Sequence, residues 1–160
     1  MLHIWTLYNW EKYYNEDSVR TGLRLRFDKD VNPEVKRACK EFCAWLRKEY
    51  YFPIRIPIYI KAQDKVKASD GDLVYGHFRP CINKNDEPYI SIAVGDYSTL
   101  IKKWGVDDTL STILRDIAHE LTHYFQWIND IKLTPIGEER QATMYSNYIM
   151  DDYKDTREHP

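Results

Sequence analysis

His119-Glu120-Leu121-Thr122-His123 is the stretch of this chain whose residue types and spacing could do chemistry on a metal. Residues four apart on an α-helix share a face, with Cβ atoms about 5–6 Å apart. Two imidazoles placed so can hold one tetrahedral Zn²⁺, and the Glu between them can reach a water held by that ion. Such a site hydrolyses a carbonyl compound when its carboxylate takes the water's proton.

The element that must position these residues is a helix, predicted over 107–130. Asp107 or Asp108 is the expected N-cap. Leu110, Ile113, Leu114, Ile117, Leu121, Tyr124 and Ile128 recur at helical spacing and form one apolar stripe. His119 and His123 fall on the opposite face beside Thr112 and Asp116, and Glu120 lies at the border. Asp116 reads either as a hydrogen-bond partner for an active-site imidazole or as a helix-surface carboxylate.

A zinc site of this kind needs a third protein ligand and an open fourth position. The metzincin arrangement is not met, because Asn129 stands where its third His would be and Gln126 where its Gly would be. Thr134-Pro135-Ile136-Gly137 reads as a turn, followed by a second helix from Glu138 to Met150. Glu139, Ala142, Thr143 and Ser146 share one face of it, a carboxylate among small residues that permit close approach to another helix. Glu138 is one residue off that face and suits a helix start. Glu139 is therefore favoured over Glu138 as the third ligand.

HELTH followed by an E-x-x-A helix resembles the gluzincin class of zinc metallopeptidases, and within it the minigluzincins and the ImmA/IrrE-like peptidases. Tyr75-Gly76-His77-Phe78-Arg79-Pro80 and Pro88-Tyr89-Ile90-Ser91-Ile92-Ala93 also resemble the strands before the active helix in SprT-like zincins. The resemblance covers roughly residues 33–150. It implies a zincin-like α+β fold, a Zn²⁺ cofactor, and an edge strand that binds a peptide or protein substrate as an added strand. Tyr75, Gly76, His77 and Phe78 are the substrate-binding candidates, with Gly76 admitting a peptide backbone; an interior strand with a bulge at Gly76 is the other reading. Thr143 departs from the pattern, standing where many gluzincins carry an Asp or Asn that supports a zinc histidine. His77, Tyr97 and Tyr145 are the candidates for a second donor to a developing oxyanion.

Composition sets the frame. The chain has 160 residues, 43% of them apolar and 30% charged, with a net charge of −2. That is the make-up of one globular domain, expected to span 1–160, with 1–30 as the least legible part. The charge gives no pull toward nucleic acid or an anionic membrane. No apolar run is long enough to span a bilayer, and Met1 to Trp10 lacks the pattern of a signal peptide. Three cysteines, Cys39, Cys43 and Cys81, give no complete disulfide framework. A cytoplasmic protein is expected.

The remaining elements follow from pattern. Leu2 to Tyr14 is aromatic-rich and could be strand or helix, whereas Leu23 to Phe27 alternates as a strand. Asn32-Pro33 starts a helix with Val35, Cys39, Phe42, Leu46 and Tyr50 on one face. Ile54 to Lys61 alternates as a half-buried strand, and Pro57 suggests an edge or irregular one. Residues 63–73 read as a polar loop, Leu73 to Arg79 as a strand, Asn83 to Asp86 as a turn, Tyr89 to Val94 as a strand, and Gly95 to Asp108 as a connector. The expected fold is α+β: a small twisted sheet packed on the HExxH helix, completed by the E-x-x-A helix.

Two rival readings go with this one. The first is a non-catalytic peptide- or protein-binding module on a zincin scaffold, in which Glu120 would have no task. The second is a DNA-associated SprT-like protease, against which stand the near-neutral charge and the lack of a C-terminal zinc ribbon.

Overall fold

Alternation of apolar and polar residues builds a four-stranded sheet with one face toward a layer of helices. The computed structural model describes residues 3–12, 20–82 and 86–160. In chain order these form β1 (Leu23–Phe27), α1 (Pro33–Glu49), β2 (Ile56–Lys61), β3 (Val66–Lys67), β4 (Leu73–Val74), β5 (Gly76–Arg79), β6 (Tyr89–Ala93), α2 (Tyr97–Trp104), α3 (Val106–Ile128) and α4 (Pro135–Lys154). The sheet order is β1-β2-β6-β5. β1, β2 and β6 are parallel, and β5 lies antiparallel to β6 at the edge. The architecture is α+β, with a small mixed sheet and four α-helices among the described residues.

The inner face of the sheet is made by Leu23, Ile56, Ile58, Ile60, Ile90 and Ile92, all fully buried. α1 packs on β1 and on α3, and α3 packs on β6 and β5. Arg24, Arg26 and Tyr59 on the other face are exposed. Every residue of the predicted apolar stripe of α3 is buried. The Tyr124 hydroxyl pins α3 to the entry of β2, donating to the Ile54 carbonyl (2.6 Å) and accepting from the Ile54 amide (3.0 Å).

β2 is an interior strand, contrary to the expectation drawn from Pro57. The Ile56 amide donates toward β1, to Gly22 O, so the next residue's amide side faces β6. Pairing with β6 begins only at Ile58. Pro57 thus sits where its missing N–H has no partner to lose.

Three boundaries differ from the sequence expectation. The supposed connector before α3 contains α2, whose Tyr97 is buried. α3 begins at Val106 after Gly105 (φ 86°), which takes the cap position expected of Asp107 or Asp108; both aspartates lie in the first turn, where they favour the helix dipole. The Thr134–Gly137 turn is the start of α4 itself. Thr134 caps it by accepting from Gly137 N, with Pro135 at the first helical position, the same signal that Asn32-Pro33 gives for α1.

The polar loop at 63–73 holds β3, which pairs with β4 as a hairpin. The expected strand Leu73–Arg79 is accordingly split at Tyr75 into β4 and β5, which have different partners. Asn83 to Asn85, in the expected turn, lie outside the described residues, as do Met1, Leu2, Tyr13 and Tyr14.

The segment before β1 is joined to the core. Two short 3-10 turns, Ile4–Thr6 and Asn9–Lys12, place Ile4, Trp5 and Trp10 in buried positions. Trp5 stacks on Phe125 with 4.9 Å between ring centroids and donates its indole N–H to Thr122 Oγ1 (3.1 Å) on the back of α3. No helix among the described residues is long and apolar enough to cross a membrane.

Candidate metal centre

α3 and α4 bring His119, His123 and Glu139 together, with one potential ligand atom of each within 4.8 Å of the others. His119 Nε2 lies 3.1 Å from one Glu139 oxygen, and His123 Nε2 lies 3.0 Å from the other. The two imidazole centroids are 5.0 Å apart. Tetrahedral coordination with bonds of about 2.0–2.1 Å separates ligand atoms by about 3.3 Å, so the two imidazole–carboxylate spacings could hold a metal ion. The Glu138 side chain is not in the cluster.

Helix packing explains why Glu139 reaches the histidines. Ala142 and Ser146 are fully buried as α4 lies along α3, and Glu139 precedes them by one and two turns on the same face. Gln126 locks the register. Its amide nitrogen donates to the Glu138 carbonyl (3.1 Å) and to Gln141 Oε1 (2.9 Å) on α4. Its oxygen is therefore turned to His123 Nδ1, 2.8 Å away, where it accepts an Nδ1–H and leaves Nε2 as the ring atom that faces Glu139. Sequence reasoning missed Gln126. The available signal was an amide inside the otherwise apolar run Tyr124-Phe125-Gln126-Trp127-Ile128, three residues after a ligand candidate.

Glu120 is 8% exposed and sits beneath the edge strand. Burial, then the carboxylates of Glu139 and Asp116, push its pKa up to about 8, while the Phe78 amide pulls the other way. A cation in the cluster would favour the ionised carboxylate. Burial is also the main cause that lowers the pKa of His119; His123 adds to it and Glu139 opposes it. Asp116 is pushed up to about 6, chiefly by burial. It makes no hydrogen bond to either imidazole among the described residues, so the expected support for a histidine comes from Gln126.

The four substrate-binding candidates divide by role. β5 is the edge strand, which decides between the two sequence readings in favour of the edge. The Ala93 amide donates to Tyr75 O, so the alternation of the ladder turns the main-chain groups of Gly76 and Phe78 away from β6. The Phe78 side chain is buried against Tyr124 and Trp127, leaving only its backbone to the cleft. Tyr75 precedes the strand, its ring covered by the Lys65 ammonium 3.3 Å from the centroid. Gly76 lies against the Glu120 side chain, so its missing Cβ makes room for that carboxylate rather than for a ligand backbone. His77 lines a hollow of about 500 Å³ together with His123, Trp127 and Glu139. Tyr97 and Tyr145 are elsewhere: Tyr97 lines a separate hollow with Lys29 and Lys36, and Tyr145 is buried behind α4, its hydroxyl accepting from the Ile4 amide.

Comparison with models of known families, with curated proteins and with solved structures gives no match.

Proposed function

We propose that this protein is a zinc-dependent peptidase with a zincin-like fold, acting on a peptide or protein substrate in the cytoplasm. The observation that carries the reading is Glu139 bridging both imidazoles of His119 and His123 while Glu120 lies buried between that cluster and the free edge of β5. His119, His123 and Glu139 would hold the ion. When bound, zinc supplies a water acidified to a pKa of about 7 and Lewis-acid polarisation of a carbonyl.

The chain's own groups account for the rest. Glu120 accepts the proton of the attacking water on its carboxylate and passes it to the leaving amine. The Gly76 main-chain groups and the Phe78 carbonyl, which the ladder turns away from β6, align an extended substrate as a fifth strand, while the Phe78 amide holds Glu120. Burial beneath β5, with Gly76 packed on it, shields the Glu120 carboxylate from bulk water. Free buried thiols at Cys39 and Cys43 suit a reducing compartment.

The test is elemental analysis after zinc loading, together with mass-spectrometric mapping of cuts in denatured casein. One zinc per chain is expected, with cleavage that Glu120→Gln abolishes while zinc is retained. Stoichiometric zinc with no cleavage would leave a binding module instead. No zinc would remove the reading altogether.

A further inference from the structure

We infer that His77, held by Ser69, is the second hydrogen-bond donor to the reacting carbonyl oxygen, an inference that rests on the peptidase reading. Three of its features converge. His77 lines the hollow that His123 and Glu139 also line, on the edge strand that packs over Glu120. Its Nε2 lies 3.2 Å from Ser69 Oγ, so one ring nitrogen is engaged and Nδ1 is left for a ligand. The two tyrosines that could have taken the task are turned to other parts of the molecule.

The support for the ring is built rather than incidental. Ser69 stands in the tight loop between β3 and β4. There the Gly71 amide donates to Ala68 O (3.0 Å), the Ala68 amide to Asp72 O (2.8 Å), and the Asp72 amide to Asp70 Oδ1 (2.9 Å). Gly71 takes a φ of +90°, which glycine adopts without strain. The hairpin thereby presents a fixed hydroxyl to the edge strand. If that hydroxyl donates to Nε2, the ring proton is on Nδ1. Burial first, with Arg79 and His123, holds the ring's pKa below its ordinary value against the pull of Asp70; an imidazole that accepts from Ser69 at Nε2 has one N–H, on Nδ1, to give.

The step balances without a further reagent. A water oxygen forms a bond to the carbonyl carbon, its proton goes to Glu120, and the carbonyl π pair moves onto the oxygen. That oxygen then accepts the His77 N–H, a bond stronger to the anion than to the starting carbonyl.

The experiment uses the full zinc-loaded chain, denatured casein, and a phosphinic peptide spanning the casein bond that the wild type cuts. His77→Ala should lower kcat about 100-fold with KM and zinc content unchanged. It should also weaken phosphinic-peptide binding, measured by calorimetry, by about the same factor. His77→Gln, which keeps an N–H donor, should recover part of both. Ser69→Ala should cost kcat about fivefold, and Ser69→Thr should restore it. A kcat for His77→Ala within about threefold of wild type, or unchanged phosphinic affinity, overturns the assignment of His77 while leaving the peptidase intact. Zinc loss in His77→Ala also overturns it, by placing the effect on the metal. A wild type that cuts nothing overturns the peptidase reading and this one with it.

Discussion

Gly76 is packed against Glu120 so closely that a Cβ at position 76 would stand 3.1 Å from the Glu120 Oε1 and 3.2 Å from its Cγ. The edge strand thus touches the buried carboxylate through the one residue type that leaves it space. The same Cβ would stand 3.2 Å from Ile92 Cδ1 on the other side, so it has no free direction. Gly76 does not adopt a positive φ, which means that crowding, and not backbone conformation, selects glycine here.

Gly76→Ala is therefore expected to displace Glu120 by a few tenths of an ångström with little loss of fold. Ala also restricts the unfolded chain, which offsets the squeeze by about 0.4–1 kcal/mol. Zinc content and Tm should stay near wild type while kcat falls about tenfold, because small displacements of a proton-transfer group are costly. Gly76→Val should lower both kcat and Tm. Unchanged kcat in Gly76→Ala would show that Glu120 has slack beneath the strand.

Glu139→Ala should release zinc in a chelator competition that Glu138→Ala survives. Glu139 places an oxygen within 3.1 Å of each imidazole, whereas Glu138 contributes to the site only its main-chain carbonyl, as acceptor for Gln126. Removing a ligand leaves two, and the affinity should fall by more than the roughly 10–100-fold that a supporting residue costs. The reverse order of the two variants would contradict the placement of α4 on α3.

Gln126→Leu should lower zinc affinity about 10–100-fold without unfolding the chain. The substitution removes the acceptor that holds His123 Nδ1 and the two amide bonds to α4. It also leaves the Glu138 carbonyl without that donor. Titration with a competing chelator separates this loss from the larger one at Glu139. Equal affinity in Gln126→Leu and wild type would mean that helix packing alone orients His123.

The candidate site was legible because its parts are local. His119 and His123 are one turn apart, and Glu139 is a face-sharing problem within one helix. The support for it was not, because it is long-range. Nothing in the order of residues pairs Trp5 with Thr122, or Tyr124 with Ile54, across more than sixty positions. Short elements escaped for a different reason. α2 is two turns long and β3 only two residues, too few for either to show a period. Pro57 misled because its cost depends on which neighbour its nitrogen faces, a property of register that one strand does not carry. Thr134-Pro135 misled because Pro-Ile-Gly after it reads as a turn, although the first turn of a helix tolerates both Pro and Gly.

The buried thiols give a pH dependence whose sign is fixed by the fold. Cys39 and Cys43 are one turn apart on α1, and both are fully buried. Burial pushes Cys43 up to about 12, with Arg47 opposing, and raises Cys39 well above its ordinary value with a further push from Cys43. In the unfolded chain both ionise near the ordinary thiol value of 9.0. Below that value the two states hold the same thiol protons and the contribution to stability is complete. As pH rises from 9 toward 12 the unfolded state loses those protons while the folded state keeps them, so stability falls across that window. Cys43 should cost about 1.4 kcal/mol by pH 10, and Cys39 adds a loss of the same sign. Urea unfolding of wild type at pH 8 and pH 10 should show that drop, and Cys39→Ala/Cys43→Ala should lack it, leaving the smaller contribution of Tyr50 and Tyr153, which burial also raises to about 12. At pH 8 a thiol reagent should modify the half-buried Cys81 first, and the other two only as the chain unfolds. An equal alkaline drop in both proteins, or rapid modification of all three thiols at pH 8, would place Cys39 and Cys43 outside the closed core.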